Sequence, residues 1–167
     1  FITIYNNFKY TAMKKLLLLV FLLTLQMQIT AQTTYVPDDN FEQALIDLGY
    51  DDVLDDYVLT ANIDGVTLLG VHDRNISSLT GIEDFTALEE LYCFGNQLSA
   101  LDVTQNTALI LLQCYYNLLN TLDVTQNILL ETLGCRGNQL NTLDVTQNTA
   151  LTFLDCKENQ LNTLDVT

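Results

Sequence analysis

Positive charge is scarce in this chain. Six Lys and Arg stand against 21 Asp and Glu in 167 residues, a formal net charge of −15. A basic patch that could neutralise a phosphate backbone is excluded, and nucleic-acid binding with it. The acidic balance favours solubility and repels anionic membranes, but it names no partner. Histidine is scarcer still, since His72 is the only one. No Ser/His/Asp, metal-ligand or phosphate-loop constellation accompanies it, so it reads as a surface or loop residue. Enzyme chemistry and a bound cofactor are therefore not expected. Long apolar runs are missing too, because the stretch at residues 16–30 is too short for a membrane span.

What the chain does have is repetition. Cys93, Cys114, Cys135 and Cys156 recur every 21 residues, and so do Asn96, Asn117, Asn138 and Asn159. Asp102, Asp123, Asp144 and Asp165 keep the same step. The unit over residues 88–167 reads L-x-x-L-x-C-x-x-N-x-L-x-x-L-D-V-T-Q-N-x-x. Fixed self-similarity at this period marks a solenoid, in which each repeat is one coil. Within a coil, Leu88, Leu91, Cys93 and Asn96 are echoed ten residues later by Leu98, Leu101, Val103 and Asn106. Each half sends apolar groups inward and then bends at an Asn. Tyr92 alternates with Leu91 and Cys93, which predicts a short strand at residues 90–93 and its copies. Residues 101–104 and their copies should run opposite as a second extended or 3₁₀-like segment. A lone coil buries too little apolar surface to offset the ordering of its backbone, so the coils must stack.

The unit resembles a bacterial leucine-rich repeat with Cys at its sixth position, similar to the repeats of internalin-like secreted surface proteins. The resemblance covers about residues 66–167. It implies a repeat solenoid, a curved right-handed parallel β-coil with short strands on its concave face that binds macromolecules there.

From the start of the chain, residues 1–12 show no pattern and read as an upstream extension. Met13, Lys14 and Lys15 with the apolar run after them read as a signal peptide ending at Ala31. Its removal takes Lys9, Lys14 and Lys15 and leaves three basic against 21 acidic residues, a net charge of −18. Secretion or cell-surface exposure is then expected, without membrane insertion once the signal is cut. Residues 32–65 read as a non-repetitive N-terminal cap. There Pro37 stops a strand-like run, and Asp39 with Glu42 forms a capping box. Phe41, Ala44, Leu45 and Leu48 make one apolar helix face over residues 39–48, with Gly49 as the left-handed exit. That face is expected to cover the open end of the first coil. Residues 51–56 are acidic but lack the spacing of a calcium loop, and read as a solvated loop. Residues 66–87 form a degenerate first coil with Leu69, Val71, Ile76 and Leu79 inward and Asn75 near the bend. Asn75, Ile76 and Ser77 match a glycosylation sequon, alone and without context.

Four Cys allow three pairings. Equivalent positions on adjacent parallel strands lie ~4.8 Å apart with parallel side-chain vectors, which suits a reduced core ladder better than a bridge. One adjacent bridge is the alternative. A metal site is not expected, because no coil holds a second Cys or His. The Asn columns are expected to bond backbone where the chain turns. The Asp column should accept local backbone or Thr hydroxyl bonds, calcium bridging being the other way to meet its repulsion.

The D-V-T-Q-N half barely changes from coil to coil, as scaffold should. The outward strand positions differ in every coil: Glu90, Leu111, Thr132, Phe153; Tyr92, Gln113, Gly134, Asp155; and Phe94, Tyr115, Arg136, Lys157. Tyr, Phe and Arg are the types enriched at binding hot spots. Tyr92, Phe94, Gln113, Tyr115, Arg136, Phe153, Asp155 and Lys157 are thus the candidate partner-binding residues. The partner expected is a protein on a host or neighbouring cell; a glycan, or the non-catalytic front of a longer secreted enzyme, are the alternatives. The chain stops mid-coil at Thr167, which reads as a truncation. Leu154, Cys156 and Leu164 would then lie at an open edge prone to association.

Overall fold

A 21-residue step leaves enough chain between strands for a parallel crossover, and the coil strands pair side by side in one direction. In the computed structural model, which describes Lys14, Lys15, residues 31–162 and Leu164, the chain divides into Phe1–Ala31 and Gln32–Thr167. Among the described residues every strand belongs to the second unit. The expected upstream extension and signal segment lie outside the described residues, apart from Lys14, Lys15 and Ala31. Among the described residues no helix is long and apolar enough to cross a membrane.

The second unit opens with strand β1 (Thr33–Tyr35), helix α1 (Asp39–Asp47), strand β2 (Tyr57–Leu59) and a short helix α2 (Thr60–Ile63). β1 and β2 pair antiparallel, with Thr34 opposite Val58. Five coil strands come next: β3 (Leu68–Gly70), β4 (Glu90–Tyr92), β5 (Leu111–Gln113), β6 (Thr132–Gly134) and β7 (Phe153–Asp155). They form one parallel sheet in chain order, with Leu69, Leu91, Leu112, Leu133 and Leu154 in register. Each strand has three residues rather than four, yet the ladder runs on past it. Cys93 N–H donates to Gln113 O at 2.9 Å, and Gly95 N–H to Tyr115 O at 3.0 Å. On the far side, Asp102 and Asp123 form an isolated parallel bridge, and turns complete the coil.

The core is the stacked column set. Leu88, Leu91, Cys93, Leu98 and Val103 are fully buried, as are their copies in the next coil, Leu109, Leu112, Cys114, Leu119 and Val124. The four thiols are free; Cys93, Cys114 and Cys135 are buried and Cys156 half-buried. Burial pushes the Cys93 and Cys135 thiols up to about 12, and Cys114 higher than its usual range for the same reason. They pack as small hydrophobes.

Both Asn columns are bonded between coils and buried, except for the half-buried Asn159 of the last coil. Asn117 Nδ2 donates to Cys93 O and Cys114 O, and its Oδ1 accepts from Leu98 N–H at 3.0 Å. Asn127, in the second column, donates to Val103 O and Asn106 O. Its Oδ1 accepts nothing, and the same holds for Asn106 and Asn148. In the first coil the column position is Arg74, because that coil is one residue longer. Asn75 is exposed at φ +58° and lies outside the ladder, its carbonyl accepting from Asn40 Nδ2. Asn96 serves that coil instead, accepting from Arg74 and Ile76 N–H.

The N-terminal helix departs from expectation at both ends. Its N-cap is Asp38, one residue earlier than Asp39, and its Oδ1 accepts from Asn40 and Phe41 N–H. Glu42 makes no capping box. Fully buried, it turns its Oε1 to Asp55 and Tyr57 N–H, tying down the acidic loop. Residues 52–56 of that loop are exposed as expected; Asp51 is half-buried, and burial first, then the neighbouring Glu42, raise its pKa. At the far end Leu48 is exposed, so the inward face is Phe41, Ala44 and Leu45, all within the common core. Gly49 takes φ +81°, ending the helix.

Candidate functional site

Because side chains alternate along a strand, the residues not committed to the core form three parallel columns on the other face of the five-stranded sheet. Register places Glu90, Leu111, Thr132 and Phe153 in one column, and Tyr92, Gln113, Gly134 and Asp155 in the next. The ladder bonds just beyond the strands align Phe94, Tyr115, Arg136 and Lys157 as the third. All eight candidate residues therefore share one face. Tyr92, Phe94, Gln113, Tyr115, Arg136 and Asp155 are half-buried, Lys157 is exposed, and Phe153 is 54% exposed.

The third column is built as a stack. His72, the counterpart of Phe94 in the longer first coil, lies face to face with it at 4.4 Å between ring centres and 6° between planes. Phe94 stacks on Tyr115 at 4.4 Å and 12°. Tyr116 then meets Tyr115 edge-on at 5.6 Å, and Arg136 lies 5.9 Å over the Tyr116 ring. Coil spacing sets this arrangement, since in-register rings one coil apart sit at close to stacking distance.

Beside the stack runs a column held in the left-handed region: Asp73 (φ 55°), Gly95 (65°), Tyr116 (54°), Gly137 (65°) and Glu158 (54°). Large and small residues alternate along it. A Cβ on Gly95 would lie 2.1 Å from Asp73 Oδ1, and one on Gly137 would lie 2.5 Å from Tyr116 Cδ1. Each large side chain thus lies over the glycine of the next coil.

Polar contacts fix the remaining side chains. Tyr92 Oη donates to Glu90 Oε2 at 2.7 Å, and that bond, with burial, raises the tyrosine pKa. Burial and then Asp73 raise that of Tyr115. Arg136 pairs with Glu158 through Nη2, which raises the guanidinium and lowers the carboxyl, while Arg136 Nε has no partner. Arg74 turns off the face to pair with Asp47 of α1. His72 Nδ1 sits 3.2 Å from Asp73 Oδ2. Among the described residues no three His, Cys, Asp or Glu side chains converge as a metal cradle.

Sequence reasoning missed His72, Asp73 and Tyr116 as parts of this face. The longer first coil hid the alignment of His72 with Phe94. The signal for Tyr116 was the glycine on either side of it in the column, since Gly95 and Gly137 recur where φ is positive.

On the opposite side the Asp column behaves as expected. Asp102, Asp123 and Asp144 each accept from the backbone N–H and hydroxyl of Thr104, Thr125 and Thr146, the hydroxyl bonds all at 2.7 Å. They border an open groove of about 390 Å³ with Thr121 and Thr142. Asp165 lies outside the described residues.

No family model matches the sequence. The chain is 38% identical over 72 residues to internalin J of Listeria monocytogenes serotype 4b (strain F2365), covering 43% of this chain and 8% of that protein. A solved functional domain of InlJ from Listeria monocytogenes, described as including a cysteine ladder, superposes with a TM-score of 0.74 at 38% identity, over 81% of this chain and 31% of that one. A leucine-rich repeat protein of Leptospira interrogans superposes with a TM-score of 0.52 at 32% identity, over 57% of this chain and 26% of that one. An internalin, inlF, from the same Listeria strain shares the fold, with a TM-score of 0.63 at 17% identity over 81% of this chain and 49% of that one. The chain thus spans under a third of the length of the first two solved relatives.

Proposed function

We propose that this chain, an internalin-like leucine-rich repeat protein with a cysteine ladder, is a non-catalytic module that binds a protein partner through its strand face. The observation that carries this reading is the contrast between the two sides of each coil. One side repeats the same Asp–Thr bonds three times over. The other changes at every outward position and concentrates aromatic side chains, the usual anchors of protein interfaces. A rigid ladder of buried Asn and Cys holds those side chains in place before a partner arrives, so little ordering entropy is lost on binding. The apolar run after Met13, Lys14 and Lys15 supports delivery to the cell surface or the medium.

A glycan is the less favoured partner. Sugar stacking needs open ring faces, and Phe94 has both of its faces covered, by His72 and by Tyr115.

The test compares binding of the full chain to a panel of intact host and bacterial cells. A Tyr92→Ala, Phe94→Ala, Tyr115→Ala triple variant should lose binding. A Gln105→Ala, Gln126→Ala, Gln147→Ala variant on the other side should keep it. Prior protease treatment of the cells should abolish binding, and glycosidase treatment should leave it. Equal binding by the two variants would overturn the strand-face reading.

A further inference from the structure

Glycine recurs along the strand face, and at three positions the coil before it fills the space that glycine leaves. A Cβ on Gly95 would meet Asp73, one on Gly137 would meet Tyr116, and one on Gly134 would lie 2.2 Å from Gln113 Oε1. Gly70 is different, because a Cβ there would meet nothing within 4 Å. Its strand, β3, is the first of the sheet, so no earlier coil lends it a side chain. Its φ lies outside the left-handed region, so the backbone does not demand glycine. The position is an open notch.

Strand register sets the walls of this notch. Gly70 pairs with Tyr92, and Leu68, on the same side of β3, pairs with Glu90. Leu68 is 52% exposed and gives the gap an apolar border. Unlike the stacked rings of the third column, Tyr92 has no ring or cation packed on it among the described residues. Its hydroxyl donates to Glu90 Oε2, which fixes the carboxylate beside the ring and leaves Oε1 to accept from elsewhere.

An apolar border, an aromatic face and a carboxylate around an empty position are the complement of a basic side chain. The aliphatic stem would lie on Leu68, the cation over the negative face of the ring, and an N–H would donate to Oε1. The surrounding charge agrees. Glu89 and Asp73 reinforce Glu90, while Arg74 is spent on Asp47 and His72 keeps its Nδ1 against Asp73. Arg136 and Lys157 stand two and three coils beyond Tyr92. Residues 32–167 hold only three Lys or Arg against 21 acids, a field that draws in a cation and is indifferent to a neutral sugar. Resting on the strand-face reading above, we infer that the protein partner inserts a Lys or Arg side chain into the notch at Gly70, over the Tyr92 ring and onto Glu90.

Amide chemical-shift titration of the ¹⁵N-labelled full chain tests this with three probes: the acetylated, amidated peptide Thr-Val-Arg-Val-Thr, the same peptide with citrulline for Arg, and lactose. The Arg peptide should shift the amides of Gly70, Glu90 and Tyr92. It should bind about tenfold more tightly than the citrulline peptide, the worth of one charge-assisted contact. Glu90→Gln keeps an acceptor for the Tyr92 hydroxyl and should remove that preference. Gly70→Val, tolerated where a Cβ meets nothing, fills the notch and should weaken the Arg peptide by a similar factor, while Gln105→Ala should change neither. Equal binding of the two peptides, or an Arg preference that survives Glu90→Gln or Gly70→Val, overturns the inference and leaves the strand-face reading standing. So do shifts confined to the Asp102 and Asp123 side, binding of lactose alone, or no shift with any probe. The strand-face reading itself falls only in the cell-binding comparison.

Discussion

Asn117 and Asn127 look alike in sequence, ten residues apart, each closing half of a coil. Their surroundings differ in one atom. Asn117 uses its whole amide, donating to two carbonyls and accepting from Leu98 N–H, whereas Asn127 donates twice and leaves a buried Oδ1 without a donor. Removing a buried side chain costs most where it leaves backbone groups unpaired, about 1–3 kcal/mol for each. Asn117→Ala orphans two carbonyl bonds and an N–H. Asn127→Ala orphans two carbonyl bonds and also removes an oxygen that was already desolvated at a loss. Urea unfolding should therefore show Asn117→Ala to be the more destabilising, by about 1–2 kcal/mol. Equal losses would mean that the oxygens of both columns are equally well satisfied. The two columns themselves were legible in the sequence, because Asn recurs at both. The asymmetry was not, since it depends on which backbone N–H the neighbouring coil turns toward each oxygen.

At the scale of the element, one carboxylate both caps α1 and ties it to the first coil, beside the Arg74–Asp47 pair and the Asn40–Asn75 bond. Asp38 caps the helix through Oδ1, and its Oδ2 accepts from Ser77 N–H at 2.8 Å, Ser77 Oγ at 2.6 Å and Ser78 N–H at 2.9 Å. Burial works to raise its pKa, but the bonds from Ser77, Phe41 and Ser78 outweigh it and hold the carboxyl below the usual range. A carboxyl whose folded pKa is depressed contributes stability that is present above its unfolded pKa and lost as pH falls through the folded one. Loosening of α1 from the coil should therefore begin below about pH 4, the unfolded carboxylate value. Hydrogen exchange of the α1 amides should accelerate over that range, ahead of those in β4 and β5. Asp38→Asn keeps a cap oxygen but puts an amide NH2, which cannot accept, against Ser77 and Ser78, so it should destabilise by about 1–2 kcal/mol at neutral pH and remove this part of the acid dependence. An unchanged acid profile in the variant would sink the assignment. The helix was readable from the spacing of Phe41, Ala44 and Leu45. Its cap was not, because Asp38 and Asp39 are adjacent acids and only the second stands three residues before Glu42. Tertiary partners decided between them: Ser77 and Ser78 hold Asp38, and the N–H groups of Asp55 and Tyr57 draw Glu42 away.

For the molecule as a whole, the fold and the shared face came from the 21-residue step, while the end of the ring stack came from its one irregularity, a first coil of 22 residues that brings His72 onto Phe94. The step has an electrostatic cost as well. Stacking identical coils puts identical charges in line, and Asp102, Asp123 and Asp144 form such a column, with Asp102 and Asp123 directly paired. Thr hydroxyls satisfy one oxygen of each carboxylate but carry no charge, so the repulsion between coils persists on a chain with a formal net charge of −15. The exposed ion pairs Arg74–Asp47 and Arg136–Glu158 gain little in return, as such pairs generally do. Repulsion therefore outweighs attraction, and screening should stabilise the protein. Moving from ~10 mM to ~150 mM NaCl shortens the Debye length from ~30 Å to ~8 Å, removing the long-range part of the repulsion. With several like-charged neighbours at a few tenths of a kcal/mol each, unfolding free energy should rise by about 1 kcal/mol over that range. The triple variant Asp102→Asn, Asp123→Asn, Asp144→Asn keeps an oxygen for each Thr to donate to and discards the charge. Its stability at ~10 mM salt should exceed that of the wild type, and its salt dependence should be flatter. A wild-type stability that falls with added NaCl would mean the opposite balance, with the two arginine pairs outweighing the aspartate column.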